Sequence, residues 1–66
     1  MRKRLKILRV EKGMNQEEFA KAIGFSRTYY NAVENGKYAG SLKFWKAVQN
    51  FCNVPDEDFK KIMEKE

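Results

Sequence analysis

Apolar residues recur along the chain at intervals of three and four, which is the spacing of one face of an α-helix. Three residues that commonly cap helices stand just before such runs: Asn15, Ser26 and Ser41. Glu18 follows Asn15 at the spacing of a capping box, and glycine or Asn-Gly steps close the runs. The pattern predicts five short helices and no strand. The first covers residues 2–12, and the second runs from the cap at 15 to 23. The third covers about 26–35, the fourth runs from the cap at 41 to 52, and the fifth begins at 54–56.

The second and third predicted helices are separated by only three residues, Gly24-Phe25-Ser26, so they must cross steeply. Ala20 is small enough for the third helix to pass close above it. Placing the residues of the third helix at intervals of about 100° gives it two distinct faces. Tyr30, Val33 and Glu34 face the core, Thr28, Ala32 and Asn35 face away from it, and Asn31 lies between the two sides.

The fourth predicted helix has the strongest apolar stripe, and the fifth continues the core with Phe59, Ile62 and Met63. Trp45, Phe51 and Cys52 are interpreted as core residues, with Cys52 an inert buried thiol. Three apolar residues fit the core less well and are candidates for a partner surface: Ile7, Val10 and Phe44. The stripe of the fourth helix is assigned to Leu42, Trp45, Val48 and Cys52.

Composition limits the classes of protein that fit. A chain of 66 residues, 42% of them apolar, forms one small domain over residues 1–66, which excludes a multidomain enzyme. One cysteine allows no intramolecular disulfide, and the absence of histidine excludes a Cys/His zinc site. Neither a membrane span nor a signal segment is evident, so we expect a soluble cytoplasmic protein. With no histidine, phosphate-binding glycine loop or metal-ligand cluster, an enzyme is the weakest hypothesis, and no cofactor or metal is predicted.

The net charge of +5 is unevenly distributed. Residues 1–13 carry a net +5, whereas residues 55–66 carry a net −2. Such a basic segment favours nucleic acid or an anionic membrane surface, although a charge run is also typical of a solvated face. The basic start, Arg2-Lys3-Arg4, either contacts phosphates or is a solvated helix end.

Several segments together resemble one family. They are Leu5-Lys6-x-Leu8-Arg9, residues 15–20 (NQEEFA), Gly24-Phe25-Ser26 and residues 33–37 (VENGK). These segments, from about Leu5 to Phe59, resemble the Cro/cI-type, or XRE-family, helix-turn-helix transcriptional regulators. The resemblance implies an all-α, five-helix lambda-repressor-like fold with the helix-turn-helix at helices 2 and 3. It also implies a sequence-specific double-stranded DNA-binding repressor that acts as a homodimer on an inverted repeat.

The resemblance assigns roles to individual residues. Arg27 suits guanine, Asn31 suits adenine or a phosphate, and Thr28 or Ala32 suits a thymine methyl group; these four would read bases from the major groove. The alternatives are that Arg27 is a solvated cation, that Asn31 has only a structural role, that Tyr29 covers the helix flank, and that Asn15 is only a helix cap. Contacts to phosphates are assigned to Asn15, Gln16, Tyr29, Asn35, Lys37 and Lys43.

Arg9 and Glu34 both face inward in the predicted helices and carry opposite charges, so they should pair. The resemblance implies a buried ion pair there with a structural role. Dimerisation in the family usually uses the last helices. That assignment makes Phe44, Phe51, Phe59 and Met63 candidates for the dimer contact.

The sequence departs from the family pattern at three points. The segment 37–42 lacks the arginine that relatives place in the minor groove, Gly40 replaces a common proline, and Tyr30 is larger than the usual aliphatic residue and could tilt the third helix. Lys43 or Tyr38 could substitute for the missing arginine. A second hypothesis is a protein-interaction module that has the same fold but binds a regulatory protein instead of DNA, such as an antitoxin or antirepressor-like element.

Overall fold

A computed structural model of the chain describes residues 1–65. This part of the chain contains five α-helices and no strand, so the predicted all-α fold is confirmed. The first four helices end within one residue of their predicted bounds. The helices are α1 (Lys3–Glu11), α2 (Gln16–Ile23), α3 (Arg27–Glu34), α4 (Leu42–Cys52) and α5 (Phe59–Met63), the last preceded by a 3-10 turn at Asp56–Asp58.

The helix starts follow the predicted capping chemistry. The Asn15 side chain accepts the Glu18 backbone N–H at 2.8 Å, and the Glu18 carboxylate accepts the Asn15 N–H at 2.9 Å, which forms a complete capping box. Ser26 and Ser41 cap α3 and α4 in the same way, each at 3.1 Å. Because these bonds join residues three apart, the local sequence is sufficient to place three of the five helix starts.

The core lies where α2 packs against α3 and α4, while α1 packs against α3 and α5. The Phe19 ring stacks on Tyr30 with 5.3 Å between ring centroids, and the ring of Phe44 meets Trp45 edge-on at 5.0 Å. Complete burial of an aromatic or aliphatic side chain is worth about 1.5–3 kcal/mol, so each member of this small set favours the folded state. The fully buried apolar residues are Leu5, Phe19, Ala20, Tyr30, Val33, Phe44 and Val48.

The apolar stripe of α4 differs from the predicted one. Leu42 is 67% exposed, whereas Phe44 is fully buried. At about 100° per residue, Phe44 lies within the arc defined by Trp45, Val48 and Phe51, and Leu42 falls well outside it. The predicted stripe was therefore wrong at its first residue, and Phe44 belongs to the core.

The N-terminal segment corrects a second prediction. Arg2 is neither a phosphate contact nor a solvated helix end, because only 3% of the residue is exposed. Its guanidinium donates to the carbonyl oxygens of Val33, Tyr38 (2.9 Å), Ala39 (3.3 Å) and Met63 (2.8 Å). Arg2 therefore ties the end of α3, the following loop and the end of α5 together.

Gly40 has a structural explanation. Its φ is +82°, and a Cβ at this position would lie 2.6 Å from the indole nitrogen of Trp45. That nitrogen donates to the Ala39 carbonyl at 3.0 Å. The loop can therefore pass close to the Trp45 ring only with glycine at this position, where proline is common in the family.

The remaining apolar positions divide between core and surface. Ile7 and Val10 are 54% and 57% exposed on the outer side of α1. Cys52 is half-buried rather than fully buried, and partial burial raises the pKa of its thiol. A raised pKa lowers the thiolate fraction, which fits the predicted low reactivity. None of the helices in residues 1–65 is long and apolar enough to cross a membrane.

Candidate nucleic-acid interface

The turn between α2 and α3 fixes how the two helices meet. Gly24 ends α2 with a φ of +83°, in the left-handed conformation that glycine adopts without strain. The next N–H, of Phe25, donates to the Ala20 carbonyl at 2.9 Å. Ala20 itself is fully buried, as expected for a small residue beneath a crossing helix. α3 is thereby held against α2, with Arg27 and Thr28 at its start exposed.

The first turn of α3 is open to solvent. Arg27 and Thr28 are both exposed, and Asn31 is half-buried beside them. These three residues line one shallow hollow. A second hollow shares Arg27 and is lined otherwise by Arg9, Asn15, Gln16 and Glu17. Three of the four predicted base-reading residues thus adjoin two of the predicted phosphate contacts on one continuous polar surface.

The last turn of α3 is buried and holds the predicted ion pair. The Arg9 Nε lies 3.1 Å from Glu34 Oε1, with side-chain exposures of 13% and 3%. The Arg9 guanidinium also donates to the Met14 carbonyl at 3.0 Å. The Tyr30 hydroxyl donates to the same Glu34 oxygen at 2.8 Å. Burial, followed by the Glu34 carboxylate, raises the pKa of Tyr30, so this hydroxyl keeps its proton and remains a donor.

A chain of side-chain amides runs from this ion pair to the surface. Gln16 Nε2 donates to Glu34 Oε2 at 2.7 Å. Asn31 Nδ2 donates to Gln16 Oε1 at 2.9 Å, and Asn35 Nδ2 donates to Asn31 Oδ1 at 3.0 Å. We call these four residues, Glu34, Gln16, Asn31 and Asn35, the amide relay. It links a buried carboxylate to two amides on the predicted DNA-facing side.

The predicted phosphate contacts fall into different environments. Asn15 and Asn35 are exposed, as are Lys37, just after α3, and Lys43, in the first turn of α4. Gln16 is half-buried at the start of α2, where backbone N–H groups favour an anion, but its amide already bonds within the relay. The Asn15 oxygen serves as the cap of α2. Their contacts to DNA remain predictions.

Tyr29 covers the flank of α3, which was the alternative to a phosphate contact. Its ring stacks on Phe25 at 5.4 Å and meets Phe44 edge-on at 5.5 Å. Its hydroxyl oxygen accepts the Ser41 N–H at 3.0 Å and so ties α3 to the start of α4. A contact from this hydroxyl to a phosphate remains a prediction.

The predicted dimer residues do not share one environment. Phe44 is fully buried, so it presents no side-chain surface to a second copy of the chain, and that part of the prediction is corrected. Phe51, Phe59 and Met63 are half-buried against the core and remain candidates. A groove lies between α1 and the α4–α5 segment, lined in part by Arg4, Ile7, Leu8, Cys52, Val54, Asp58 and Lys61.

Two features of the site were missed at the level of sequence. One is the burial of Arg2, and the other is the relay, in which Gln16 bonds to α3 instead of standing free. The only available signal was the spacing that brings Gln16, at the start of α2, near the inner side of α3. In residues 1–65 no three acidic or cysteine side chains are grouped as a metal site would require.

The chain is similar to known regulators over most of its length. A helix-turn-helix family model matches residues 5–59. The chain is 51% identical over 50 residues to the ImmF control region 10 kDa protein of Bacillus phage phi105, covering 76% of this chain and 56% of that protein. It is 40% identical over 58 residues to an uncharacterized HTH-type transcriptional regulator of Methanocaldococcus jannaschii, covering 88% of each.

A third relative is the cryptic phage CTXphi transcriptional repressor of Vibrio cholerae, 36% identical over 52 residues, which are 79% of this chain and 47% of that protein. The chain thus spans about half the length of the two phage proteins. No solved structure matches at comparable significance. The extent of the family match, together with the exposed third helix set across the second, establishes that the chain belongs to the XRE-type helix-turn-helix family of DNA-binding transcriptional regulators.

Proposed function

We propose that this chain is a sequence-specific regulator of transcription, a repressor, which binds double-stranded DNA by inserting α3 into the major groove. The observation that carries the proposal is the solvent-exposed first turn of α3, whose Arg27 borders both polar hollows. A helix with small polar residues on its outer side fits a groove about 12 Å wide. The proposed base-reading residues are Arg27, Thr28, Asn31 and Ala32.

Phosphate contacts would position α3 without reading sequence. Lys37 and Lys43 follow α3 in the sequence, whereas Asn15 and Gln16 precede it, at the start of α2. The dipole of α2 adds a favourable term for an anion at its start. Four to six such contacts would make binding fall steeply with salt.

A homodimer on an inverted repeat would double this contact. Two α3 helices about 34 Å apart would reach successive major grooves on one side of the duplex. The half-buried residues Phe51, Phe59 and Met63 are the proposed contacts between copies. The name of the Vibrio relative, a transcriptional repressor, supports the repressor role.

The direct test is selection from a random double-stranded DNA pool at about 150 mM salt, where non-specific attraction is weak, followed by sequencing of the bound fraction. The proposal predicts an enriched inverted repeat. Enrichment of single half-sites would refute the dimer only. Failure of the folded, helical protein to enrich any sequence would refute the proposal.

Failure of the selection would favour the second candidate, a protein-interaction module. The observation behind it is the outer side of α1, where Ile7 and Val10 are more than half exposed. Exposed apolar residues that lie close together are typical of protein contact surfaces. The test is whether Ile7→Lys abolishes binding to a protein partner while leaving the unfolding curve unchanged.

A further inference from the structure

We propose that Gln16 is a positioning residue for base reading. It donates to the buried Glu34 carboxylate and accepts from the Asn31 amide, and so fixes which way the Asn31 oxygen and NH2 group face the DNA. The inference rests on the proposed function, because it concerns how Asn31 distinguishes one base pair from another. It goes beyond that function by giving the buried ion pair a role in specificity as well as in stability.

The direction of the relay follows from the chemistry of its buried end. Glu34 faces the Arg9 guanidinium at 3.1 Å, and an ionised carboxylate only accepts hydrogen bonds. Gln16 must therefore turn its NH2 group toward Glu34, which leaves its oxygen toward Asn31. An amide oxygen also only accepts, so Asn31 must present its NH2 group to Gln16.

The buried end of the relay is the one that resists reversal. Arg9 and Tyr30 both donate to Glu34 Oε1, while Gln16 donates to Oε2. On the outer side, Asn35 donates to the Asn31 oxygen at 3.0 Å. A flipped Asn31 would place oxygen against the Gln16 oxygen and NH2 against the Asn35 NH2. Reversal would therefore break the bond to Gln16 and bring two oxygens together, whereas the exposed Asn35 amide can turn with Asn31.

A fixed Asn31 amide has a consequence for recognition. Asparagine pairs with adenine by donating to N7 and accepting from N6–H. In the relay, Asn31 retains one free N–H on the Gln16 side and one free acceptor position on the Asn35 side. The order of N7 and N6 across the major groove reverses between A·T and T·A. Asn31 held in one direction would accept only one of these two orientations.

The first experiment examines the free protein, without DNA. In the wild type, the Asn31 side-chain NH2 protons should exchange with water more slowly than those of Asn50, which is exposed on α4. Gln16→Met keeps an unbranched side chain but removes the amide, and should speed Asn31 exchange toward the Asn50 rate. Equal exchange at Asn31 and Asn50 in the wild type, or no change in Gln16→Met, would overturn the relay.

The second experiment examines selection of bases by the wild type and three variants. Gln16→Met should reduce the preference for A·T over T·A at the Asn31 position by about tenfold or more, the scale of one bidentate base contact. Asn35→Ala, which alters only the exposed end, should shift the preference in the same direction by less. The control Lys43→Ala should weaken binding to all sequences and leave the preference unchanged.

The outcomes separate this inference from the function on which it rests. If the wild type selects a sequence but Gln16→Met keeps the same preference, Gln16 contacts phosphate only and the positioning role is wrong. If the wild type selects nothing, the proposed function fails, and the positioning role fails with it even where Asn31 exchange is slow. Slow exchange together with a lost preference supports the inference.

Discussion

The two ends of α3 contrast sharply. The first turn, with Arg27 and Thr28, is exposed and held by the Ser26 cap. The last turn is buried: the Glu34 side chain bonds to Arg9, Tyr30 and Gln16, and its backbone carbonyl accepts the Arg2 N–H at 2.8 Å. One helix eight residues long is thus fixed by polar bonds at its C-terminal end, whereas Arg27 and Thr28 at its N-terminal end are open to solvent.

The contrast shows how a domain of this size can position a recognition surface. A small core supplies only a few kcal/mol of stability, so polar bonds at one end of α3 hold the helix in place. The other end is left free to form bonds with a ligand. Changes at the fixed end should therefore affect folding, and changes at the free end should affect binding alone.

The largest expected effect comes from breaking the fixed end. Glu34→Ala should lower the free energy of unfolding by about 3–5 kcal/mol, because it leaves the Arg9 guanidinium without its partner in a mostly buried position. That loss is comparable with the whole free energy of unfolding of a small domain. Urea unfolding followed by circular dichroism measures it. A loss below about 1 kcal/mol would mean that the last turn of α3 is not held by this pair.

Arg2→Ala should have the next largest effect and lower the free energy of unfolding by about 2–3 kcal/mol. The variant removes four bonds from a charged donor to backbone carbonyls and a cation–π contact with Trp45 at 5.3 Å. Lys6→Ala is the matched control, since Lys6 is a basic and exposed residue of α1. Equal unfolding midpoints for the two variants would contradict the role of Arg2.

At the free end, Arg27→Ala should leave stability within about 0.5 kcal/mol of the wild type, as for other exposed positions. It should lower discrimination at one base pair by about 1–3 kcal/mol. Lys37→Ala should instead weaken binding to all sequences alike and reduce the salt slope by about one. Fluorescence anisotropy with matched and singly substituted duplexes distinguishes the two. Equal losses on every duplex for Arg27→Ala would remove Arg27 from the base-reading set.

The smallest expected effect is that of Tyr30→Phe. It should lower the free energy of unfolding by about 1 kcal/mol at neutral pH, because the hydroxyl hydrogen bond to Glu34 is lost.

The wild type should also lose stability at alkaline pH. The raised pKa of Tyr30 means that above about pH 10 the unfolded chain releases a proton that the folded chain keeps. The Tyr30 contribution is therefore fully present below pH 10 and declines above it, by up to about 1.4 kcal/mol per pH unit.

Urea unfolding at pH 9, 10 and 11 tests this dependence, with Tyr30→Phe as the reference that lacks the Tyr30 proton. The wild type should decline more steeply than the variant. Parallel decline of the two proteins would mean that the Tyr30 hydroxyl ionises as readily when folded as when unfolded.

Sequence reasoning succeeded where the determining contacts are local. The capping box of Asn15 and Glu18 and the caps Ser26 and Ser41 involve residues three apart, so the sequence contains all the information needed. The Arg9–Glu34 pair was also accessible, because inward-facing opposite charges have few other partners.

Contacts between distant residues were less accessible. Arg2 bonds to carbonyls 31 to 61 residues away, so only the packed fold reveals its burial. The assignment of Leu42 and Phe44 failed because the arc of α4 that faces the core depends on how α4 packs against α2. The relay required the crossing of α2 and α3, which sets Gln16 against both Glu34 and Asn31.

The central claim is that DNA meets the free end of α3, and one measurement addresses it directly. Backbone amide spectra of the 15N-labelled protein are recorded as a duplex carrying the selected sequence is added. The account predicts that the largest changes cluster at residues 15–17, 26–32, 35, 37 and 43. Changes that cluster instead around Ile7 and Val10 on α1, with Arg27 and Thr28 unaffected, would contradict it.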